Sequence, residues 1–326
     1  MALADLLYGE NYKEEIELKH TLEEKIARSL GVPAKQVLLN YGANSNLLLF
    51  FSTLSAETLY RKKRRVKVLL DYPNYFFTLH QIKQWHINPV FVKRDDNFIL
   101  STKEFISKIK NSKPDVVVIT TPNNPTGKPI SDVDLELMLK AVPKETIVLV
   151  DRACINTLPE ITSQEILRKH SNKKIVITHS FSKSHSLSDQ RLGFMATNSE
   201  EIANLMFSRA DLNHNLHALN SLKDIIDNKS HVAGKKKIIR DCNQLLKKTF
   251  KKLPGTIYYE SHSNFALIKL PPYLNAAQVF EYMKTNDVLI MGGHKIGLGE
   301  EYIRIHMSGL PKIKRFIELY ESLLNL

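Results

Sequence analysis

Ser180-Phe181-Ser182-Lys183-Ser184-His185-Ser186-Leu187-Ser188-Asp189-Gln190-Arg191-Leu192-Gly193 is a hydroxyl-rich stretch around a single lysine. Apolar, β-branched residues 175–178 precede it and apolar residues 194–196 follow it, so a buried strand is predicted on either side. Lys183 is therefore predicted to lie in a turn at the end of a strand. A lysine amine becomes a strong nucleophile when burial or nearby cations lower its pKa, and it then forms a Schiff base with an aldehyde.

Two further side chains of this stretch suit a phosphate group. Arg191 offers a charged, bidentate donor and Ser180 offers a hydroxyl donor, which are the groups that a phosphate requires. One lysine among 46 lysines and arginines is more often a solvated surface charge, so the stretch alone leaves both interpretations open.

Length and composition restrict the class of protein. A chain of 326 residues exceeds the usual size of a single hydrophobic core, so two subdomains are expected. The sequence has no run of about 18 to 20 apolar residues and no visible signal peptide, which predicts a cytoplasmic protein without membrane contact. Cys154 and Cys242 lack metal-ligand spacing, and we expect no metal site.

The formal net charge of +12 leaves nucleic acid, an acidic membrane surface or an anionic substrate open as partners. The basic residues are scattered, and those at 247, 248, 251 and 252 follow the spacing of a solvated helix face. The sequence contains no zinc-finger spacing and no aromatic-interleaved RNA motif. We therefore expect a small-molecule substrate and no nucleic-acid partner.

Predicted strands alternate with predicted helices through the first two thirds of the chain, which favours a mostly parallel sheet flanked by helices. Such sheets bind ligands at the carboxyl ends of their strands. Six candidate functional residues follow predicted strands: Gly42, Tyr75, Asn124, Asp151, Ser180 and Lys183. Their convergence makes Lys183 a candidate catalytic residue rather than a surface charge.

The chain is expected to have three parts. Residues 1–30 form an N-terminal segment and helix, residues 31–229 form a large α/β domain, and residues 230–326 form a smaller α+β domain. In the last part, short strands are predicted at 257–259, 265–268, 288–290 and 302–305.

Three motifs, in this order along the chain, resemble the fold type I aminotransferases that depend on pyridoxal 5'-phosphate (PLP). They are Asn123-Asn124-Pro125-Thr126-Gly127, Ser180-Phe181-Ser182-Lys183 with Arg191-Leu192-Gly193, and Tyr302-Ile303-Arg304-Ile305. The resemblance covers nearly the whole chain and is strongest to the class I/II branch, which includes histidinol-phosphate aminotransferase and threonine-phosphate decarboxylase. It implies a large PLP-binding domain, a homodimer, and exchange of an amino group between an amino donor and a 2-oxo acid.

The resemblance also implies a role for individual residues. Lys183 would hold PLP covalently, Asp151 would pair with the pyridine nitrogen, and Asn124 would donate to the phenolic oxygen of the ring. Tyr75 would stack on the ring, and Arg304 would bind the substrate carboxylate. The phosphate would be held by Ala43, Asn44, Ser180, Ser182 and Arg191, and Tyr8 would reach the cofactor of the partner subunit.

Three positions differ from the family pattern. Cys154 stands where the family usually has a tyrosine that shares the phenolic oxygen, and a thiol is a weaker donor. His185 and Ser186 stand where an aromatic residue and a glycine are common. Two alternatives to an aminotransferase therefore stay open: a decarboxylase or lyase of the same fold, and a binding or regulatory protein descended from it.

Overall fold

A computed structural model describes residues 11–210 and 214–325. Its larger sheet has seven strands: β1 (Val37–Asn40), β2 (Lys67–Tyr72), β3 (Asn88–Lys93), β4 (Val116–Thr120), β5 (Ile147–Asp151), β6 (Lys174–Ser180) and β7 (Gly193–Thr197). Their order is β1-β7-β6-β5-β4-β2-β3. β7 is antiparallel to both of its neighbours, and all other adjacent strands are parallel. The carboxyl ends of the six parallel strands therefore lie along one edge of the sheet.

Helices follow these strands and cover both faces of the sheet. They are α1 (Asn11–Leu30), α2 (Ala43–Lys62), α3 (Phe76–Gln84), α4 (Thr102–Ser112), α5 (Asp132–Ala141), α6 (Ser163–Lys169), α7 (Phe181–Ser184), α8 (Glu200–Phe207) and α9 (Leu216–Ile225). Ser101, Ser131 and Thr162 cap α4, α5 and α6, because each side chain accepts a hydrogen bond from a backbone N–H of the first turn.

The strands alternate between two hydrophobic cores, as residues two apart in a strand must. In β4, Val117 and Ile119 pack into the core on one face of the sheet, whereas Val116 and Val118 pack into the core on the other face. All four side chains are buried. Because these strands are buried on both faces, their sequences are continuous runs of apolar residues.

A second, antiparallel sheet has the order β10-β11-β9-β8 and contains β8 (Ile257–Tyr259), β9 (Phe265–Lys269), β10 (Met291–Gly292) and β11 (Tyr302–His306). Its core includes residues of α10 (Lys229–Phe250), α11 (Ala276–Thr285) and α12 (Leu310–Leu324). In α10 the buried residues Ile239, Cys242, Leu246 and Phe250 recur every three or four positions, which places them on one helix face.

The predicted fold class, a mostly parallel sheet flanked by helices with a smaller α+β part, is confirmed. Two details were wrong. The strand predicted at 288–290 is absent: β10 starts at Met291, and Leu289 is 78% exposed. Lys183 lies in the short helix α7 and not in a turn.

None of the helices within residues 11–210 and 214–325 combines the length and the apolar character needed to cross a membrane.

Candidate active site

A cavity of about 170 Å³ lies at the carboxyl edge of the larger sheet. Nine of the residues predicted from the sequence line it: Ala43, Asn44, Tyr75, Asn124, Asp151, Ser180, Ser182, Lys183 and Arg191. Arg304 reaches the same place from the second sheet, through a hydrogen bond to Asn124. Tyr8 lies outside the described residues.

The N-terminus of α2 forms one wall of this cavity. Gly42, directly before it, has a φ of 83°, a conformation that glycine adopts without strain. A Cβ on Gly193 would lie 2.4 Å from the His179 carbonyl oxygen and 2.8 Å from the Gly42 Cα, so only glycine permits this close approach. The first backbone N–H groups of a helix have no intrahelical acceptor, and Ala43 and Asn44 line the cavity at this point.

Hydroxyl groups and a guanidinium complete this end of the cavity. Ser180 is buried and caps α7 by accepting a hydrogen bond from the Ser182 N–H at 3.2 Å. Arg191 Nη1 donates to the Ser188 carbonyl at 3.0 Å and to Ser182 Oγ at 3.5 Å. Within the described chain no carboxylate pairs with Arg191. Donors without a paired anion at a helix N-terminus form an anion site.

Asp151 ends β5 and is only 4% exposed. One carboxylate oxygen accepts a hydrogen bond from the Ala153 N–H at 3.0 Å, and no cation among residues 12–210 and 214–325 forms an ion pair with it. Burial raises the pKa of Asp151 to about 6. A buried carboxylate without a counter-charge is costly, and this one faces a cavity that can admit a cationic ring nitrogen.

Lys183 lines the same cavity as Asp151 and the anion site. Its amine has no hydrogen-bond or ion-pair partner in the part of the chain that the structure describes. Burial of the amine lowers the pKa of Lys183, and the Arg304 and Arg191 guanidinium groups lower it further. A lower pKa increases the neutral, nucleophilic fraction of the amine. The structure thus gives Lys183 the environment that an amine nucleophile requires.

Cys154 also lines the cavity, at the position where the sequence departs from the family pattern. Burial raises the pKa of its thiol to about 12, and the nearby Asp151 carboxylate contributes to the rise. The thiol is therefore protonated at neutral pH. A protonated thiol is a weak hydrogen-bond donor and a poor nucleophile.

Arg304 and Asn124 join the two sheets at the cavity. Arg304 Nη1 donates to Asn124 Oδ1 at 2.7 Å, and the guanidinium lies 5.1 Å from the centre of the Phe265 ring. Because the Asn124 oxygen is engaged, its amide NH₂ is left to donate elsewhere. The neighbours of Arg304 in β11, Ile303 and Ile305, are buried on the opposite face, as strand alternation predicts. No carboxylate pairs with Arg304 within 12–210 or 214–325, and burial lowers its pKa.

Tyr75 directly precedes α3, where its hydroxyl donates to Asn44 Oδ1 at 3.1 Å. Burial raises the pKa of the Tyr75 phenol, so the ring is neutral. The ring is half-buried at the cavity and packs edge-on against Phe76 at 4.8 Å.

A buried polar network below Tyr75 was not predicted from the sequence. Asp71 forms an ion pair with Arg94 at 2.6 Å and accepts hydrogen bonds from Asn74 at 2.8 Å and Asn123 at 2.9 Å. Asn123 also donates to the Pro73 carbonyl at 2.9 Å. These bonds hold the loops that carry Tyr75 and Asn124, so the first asparagine of the Asn-Asn pair positions the loop and the second faces the cavity.

The donor set fits PLP. The buried carboxylate of Asp151 suits the ring nitrogen, the unpaired amine of Lys183 suits the aldehyde, and the helix N-terminus with Arg191 suits the phosphate. Each of these groups lacks a partner of complementary charge within the described chain. A ligand with a pyridine nitrogen, an aldehyde and a phosphate supplies all three.

Comparisons with known proteins agree with this chemistry. Residues 11–318 match the family described as aminotransferase class I and II. Over 298 residues the chain is 26% identical to histidinol-phosphate aminotransferase from Chlorobaculum tepidum, covering 91% of this chain and 81% of that protein.

Solved structures share the fold. Histidinol-phosphate aminotransferase from Clostridium acetobutylicum superposes with a TM-score of 0.82 at 21% identity, covering 99% of this chain and 94% of that one. L-threonine-O-3-phosphate decarboxylase from Porphyromonas gingivalis gives 0.80 at 17% identity, covering 100% and 97%. A complex of the Sinorhizobium meliloti histidinol-phosphate aminotransferase with PLP gives 0.78 at 16% identity, covering 99% and 88%. The chain therefore belongs to the class I and II aminotransferase family and is a PLP-dependent aminotransferase.

Proposed function

We propose that this aminotransferase acts on an amino compound with an anionic group close to its amine, either an α-amino acid or a phosphorylated derivative such as histidinol phosphate, and passes the amino group to a 2-oxo acid. The observation that carries the proposal is the Arg304 guanidinium. It lies beside Asn124 and Lys183, is half-buried, and has no paired carboxylate within the described residues.

An unpaired guanidinium in a partly buried site is unfavourable, so a bound anion stabilises it. The planar fork of arginine donates two parallel hydrogen bonds to a carboxylate or a phosphate. A substrate held in this way would place its amine toward Lys183, because Arg304 is hydrogen-bonded to Asn124, which lines the same cavity as Lys183. Arg304 would thus orient the donor and the 2-oxo acid in the same way in each half of the reaction.

When bound, PLP supplies an aldehyde that condenses with amines and a ring that accepts electrons. Lys183 would hold the cofactor covalently and would then move a proton to and from the substrate carbon through its Nζ. The lowered pKa of Lys183 favours this role, since a neutral amine accepts a proton whereas an ammonium group cannot.

Asp151 would hold a proton on the ring nitrogen by pairing with it, which removes the cost of the buried carboxylate. Asn124 would donate to the ring oxygen through the amide nitrogen that its bond with Arg304 leaves available. Tyr75 would lie on the ring face.

The phosphate would be held by the backbone N–H groups of Ala43 and Asn44, by Ser180 and Ser182, and by Arg191. This anchor would keep the ring fixed while the substrate is exchanged.

Arg304→Lys tests the substrate role. Lysine retains the charge but not the bidentate fork. We therefore expect kcat/KM for anionic amino donors to decrease, by an amount that corresponds to a loss of about 2 to 3 kcal/mol in transition-state binding. PLP occupancy and thermal stability should be almost unchanged. Arg240→Lys is the matched control, because Arg240 is exposed on α10 and lies away from the cavity.

Loss of stability in Arg304→Lys with kcat/KM intact would make the arginine architectural and would refute the substrate assignment. Analysis of the products distinguishes transamination from decarboxylation. Release of CO₂ without formation of a 2-oxo acid or a ketone would show that the protein is a decarboxylase.

We also propose a cytoplasmic homodimer in which residues 31–229 bind the cofactor and residues 230–326 form the smaller domain. Exposed aromatic side chains support the dimer: Tyr72 and Phe91, whose rings contact each other, and Phe76, whose ring contacts Tyr75 at the site, are 37 to 42% exposed. The reach of Tyr8 into the partner's cofactor site is part of this proposal.

A further inference from the structure

A second cavity, of about 200 Å³, adjoins the first one. Lys183, Ser182 and Ser188 line both cavities, so the two spaces meet at the Lys183 side chain. Lys235 of α10 and His306 of β11 also line the second cavity. It therefore lies where α10, the second sheet and the segment 181–192 between β6 and β7, here called the lysine loop, come together.

The second cavity has an apolar side, formed by Ile155, Ile238, Ile239 and Met307, and a polar side with lysine amines and hydroxyl groups. Lys235 has no hydrogen-bond or ion-pair partner in the described part of the chain, and no acidic residue is among the described residues that line the cavity. Ser186 also lines it, and its hydroxyl contacts His231 Nε2 at 3.1 Å, which holds the first turns of α10 against the lysine loop. An unpaired lysine among hydroxyl groups is suited to an oxyanion.

His306 adds a further donor. The Asn264 amide NH₂ donates to His306 Nε2 at 2.8 Å, which leaves the proton on Nδ1. Burial lowers the pKa of His306 to about 4, and the positive charges of Lys183, Arg304, Lys312 and Lys235 contribute to this decrease. The ring is therefore neutral at pH 7, with one N–H free to donate, in a region of positive potential.

We propose that the second cavity binds the second oxyanion of a bifunctional substrate, with Lys235 as its main ligand. The reacting carbon would lie at Lys183, one anionic group would pair with Arg304, and a group at the far end of the molecule would reach Lys235. The oxyanion is the distal carboxylate of a dicarboxylic 2-oxo acid or the phosphate of a phosphorylated α-amino acid, whose α-carboxylate would pair with Arg304. This inference rests on the proposed function, because it assumes that the substrate reacts at Lys183.

Lys235→Gln tests the proposal, with Lys237→Gln as the matched control. Lys237 is exposed on the same helix and pairs with Asp241, so its replacement removes the same charge away from the cavity. With 2-oxoglutarate as acceptor, Lys235→Gln should raise KM about tenfold, whereas with pyruvate, which lacks the distal carboxylate, KM should stay within about twofold. With O-phosphoserine as donor, Lys235→Gln should likewise raise KM about tenfold, whereas with serine, which lacks the phosphate, KM should stay within about twofold.

Calorimetry on the PLP-loaded protein gives a readout that does not need turnover. Glutarate should bind more tightly than butyrate to the wild-type protein, and Lys235→Gln should remove this preference while Lys237→Gln retains it. If no amino donor reacts but the preference for glutarate is present, the proposed function fails and the cavity assignment stands. The inference would be overturned if Lys235→Gln and Lys237→Gln had the same KM values and the same preference for glutarate. It would also be overturned if Lys235→Gln weakened the binding of butyrate as much as that of glutarate.

Discussion

Asp151→Asn is expected to stabilise the cofactor-free protein at pH 8. Burial raises the pKa of Asp151 from 3.8 to about 6, without a cation to offset it among the described residues. Because one pKa step corresponds to 1.36 kcal/mol, the ionised carboxylate costs the folded state roughly 3 kcal/mol at this pH. Asparagine is neutral and keeps an oxygen that accepts the Ala153 N–H bond.

The sign of the effect follows from proton linkage. The folded state holds the Asp151 proton more tightly than the unfolded state. The free energy of unfolding of the wild-type protein therefore falls as the pH rises from about 4 to 6, and above pH 6 the loss is complete. The advantage of Asp151→Asn should therefore be complete at pH 8 and almost absent at pH 4. A generally stabilising substitution would not show this dependence.

Thermal unfolding of both proteins, each without cofactor and each with saturating PLP, provides the assay. At pH 8 the melting temperature of Asp151→Asn should exceed that of the wild type by several degrees without PLP. With PLP the order should reverse, because a cationic ring nitrogen stabilises the carboxylate and not the amide. Asp241→Asn is the control, since Asp241 is paired with Lys237 on the surface of α10.

A destabilised Asp151→Asn protein at pH 8, or a difference that does not vary between pH 4 and pH 8, would refute the reasoning. Either result would mean that the carboxylate has a structural partner and is not held in place for a ligand.

Three further predictions concern the cofactor and the assembly. Borohydride should fix bound PLP to Lys183, and recovery of the label on another lysine would contradict the assignment. Cys154→Tyr should lower the pH at which the visible band of bound PLP titrates, because a phenol donates to the ring oxygen better than a thiol whose pKa burial raises to about 12; equal midpoints at matched occupancy would remove any role for Cys154. Light scattering should give a dimer, and a monomer with PLP bound and full turnover would refute shared sites.

Most of the fold could be predicted from the sequence because its signals are local. The central strands are short, β-branched and buried on both faces, so they are visible as continuous apolar runs. The residues after these runs, among them Asn124, Asp151 and Lys183, were correctly expected at one edge of the sheet. The strand predicted at 288–290 was wrong although its alternation is that of a strand: Val288 and Ile290 pack against the core of the second sheet and Leu289 faces solvent, but pairing with β11 begins only at Met291.

The part of the site that escaped prediction depends on contacts between distant residues. Arg304 and Asn124 are 180 positions apart, so nothing local in the sequence indicates that the arginine holds the asparagine oxygen. The bond between Asp71 and Arg94 is likewise set by the packing of two neighbouring strands. A charge without a partner can be identified only when all its neighbours are known, which is why the environment of the partly buried Lys235 could not be inferred from sequence.

A single half-reaction tests the central claim most directly. Purified protein is loaded with PLP, freed of excess cofactor, and mixed with histidinol phosphate in the absence of any 2-oxo acid. We expect the visible band to convert to the pyridoxamine form in an amount equal to the bound cofactor, and a 2-oxo acid to restore it. A fully loaded protein whose cofactor is converted by neither histidinol phosphate nor any α-amino acid would contradict the account.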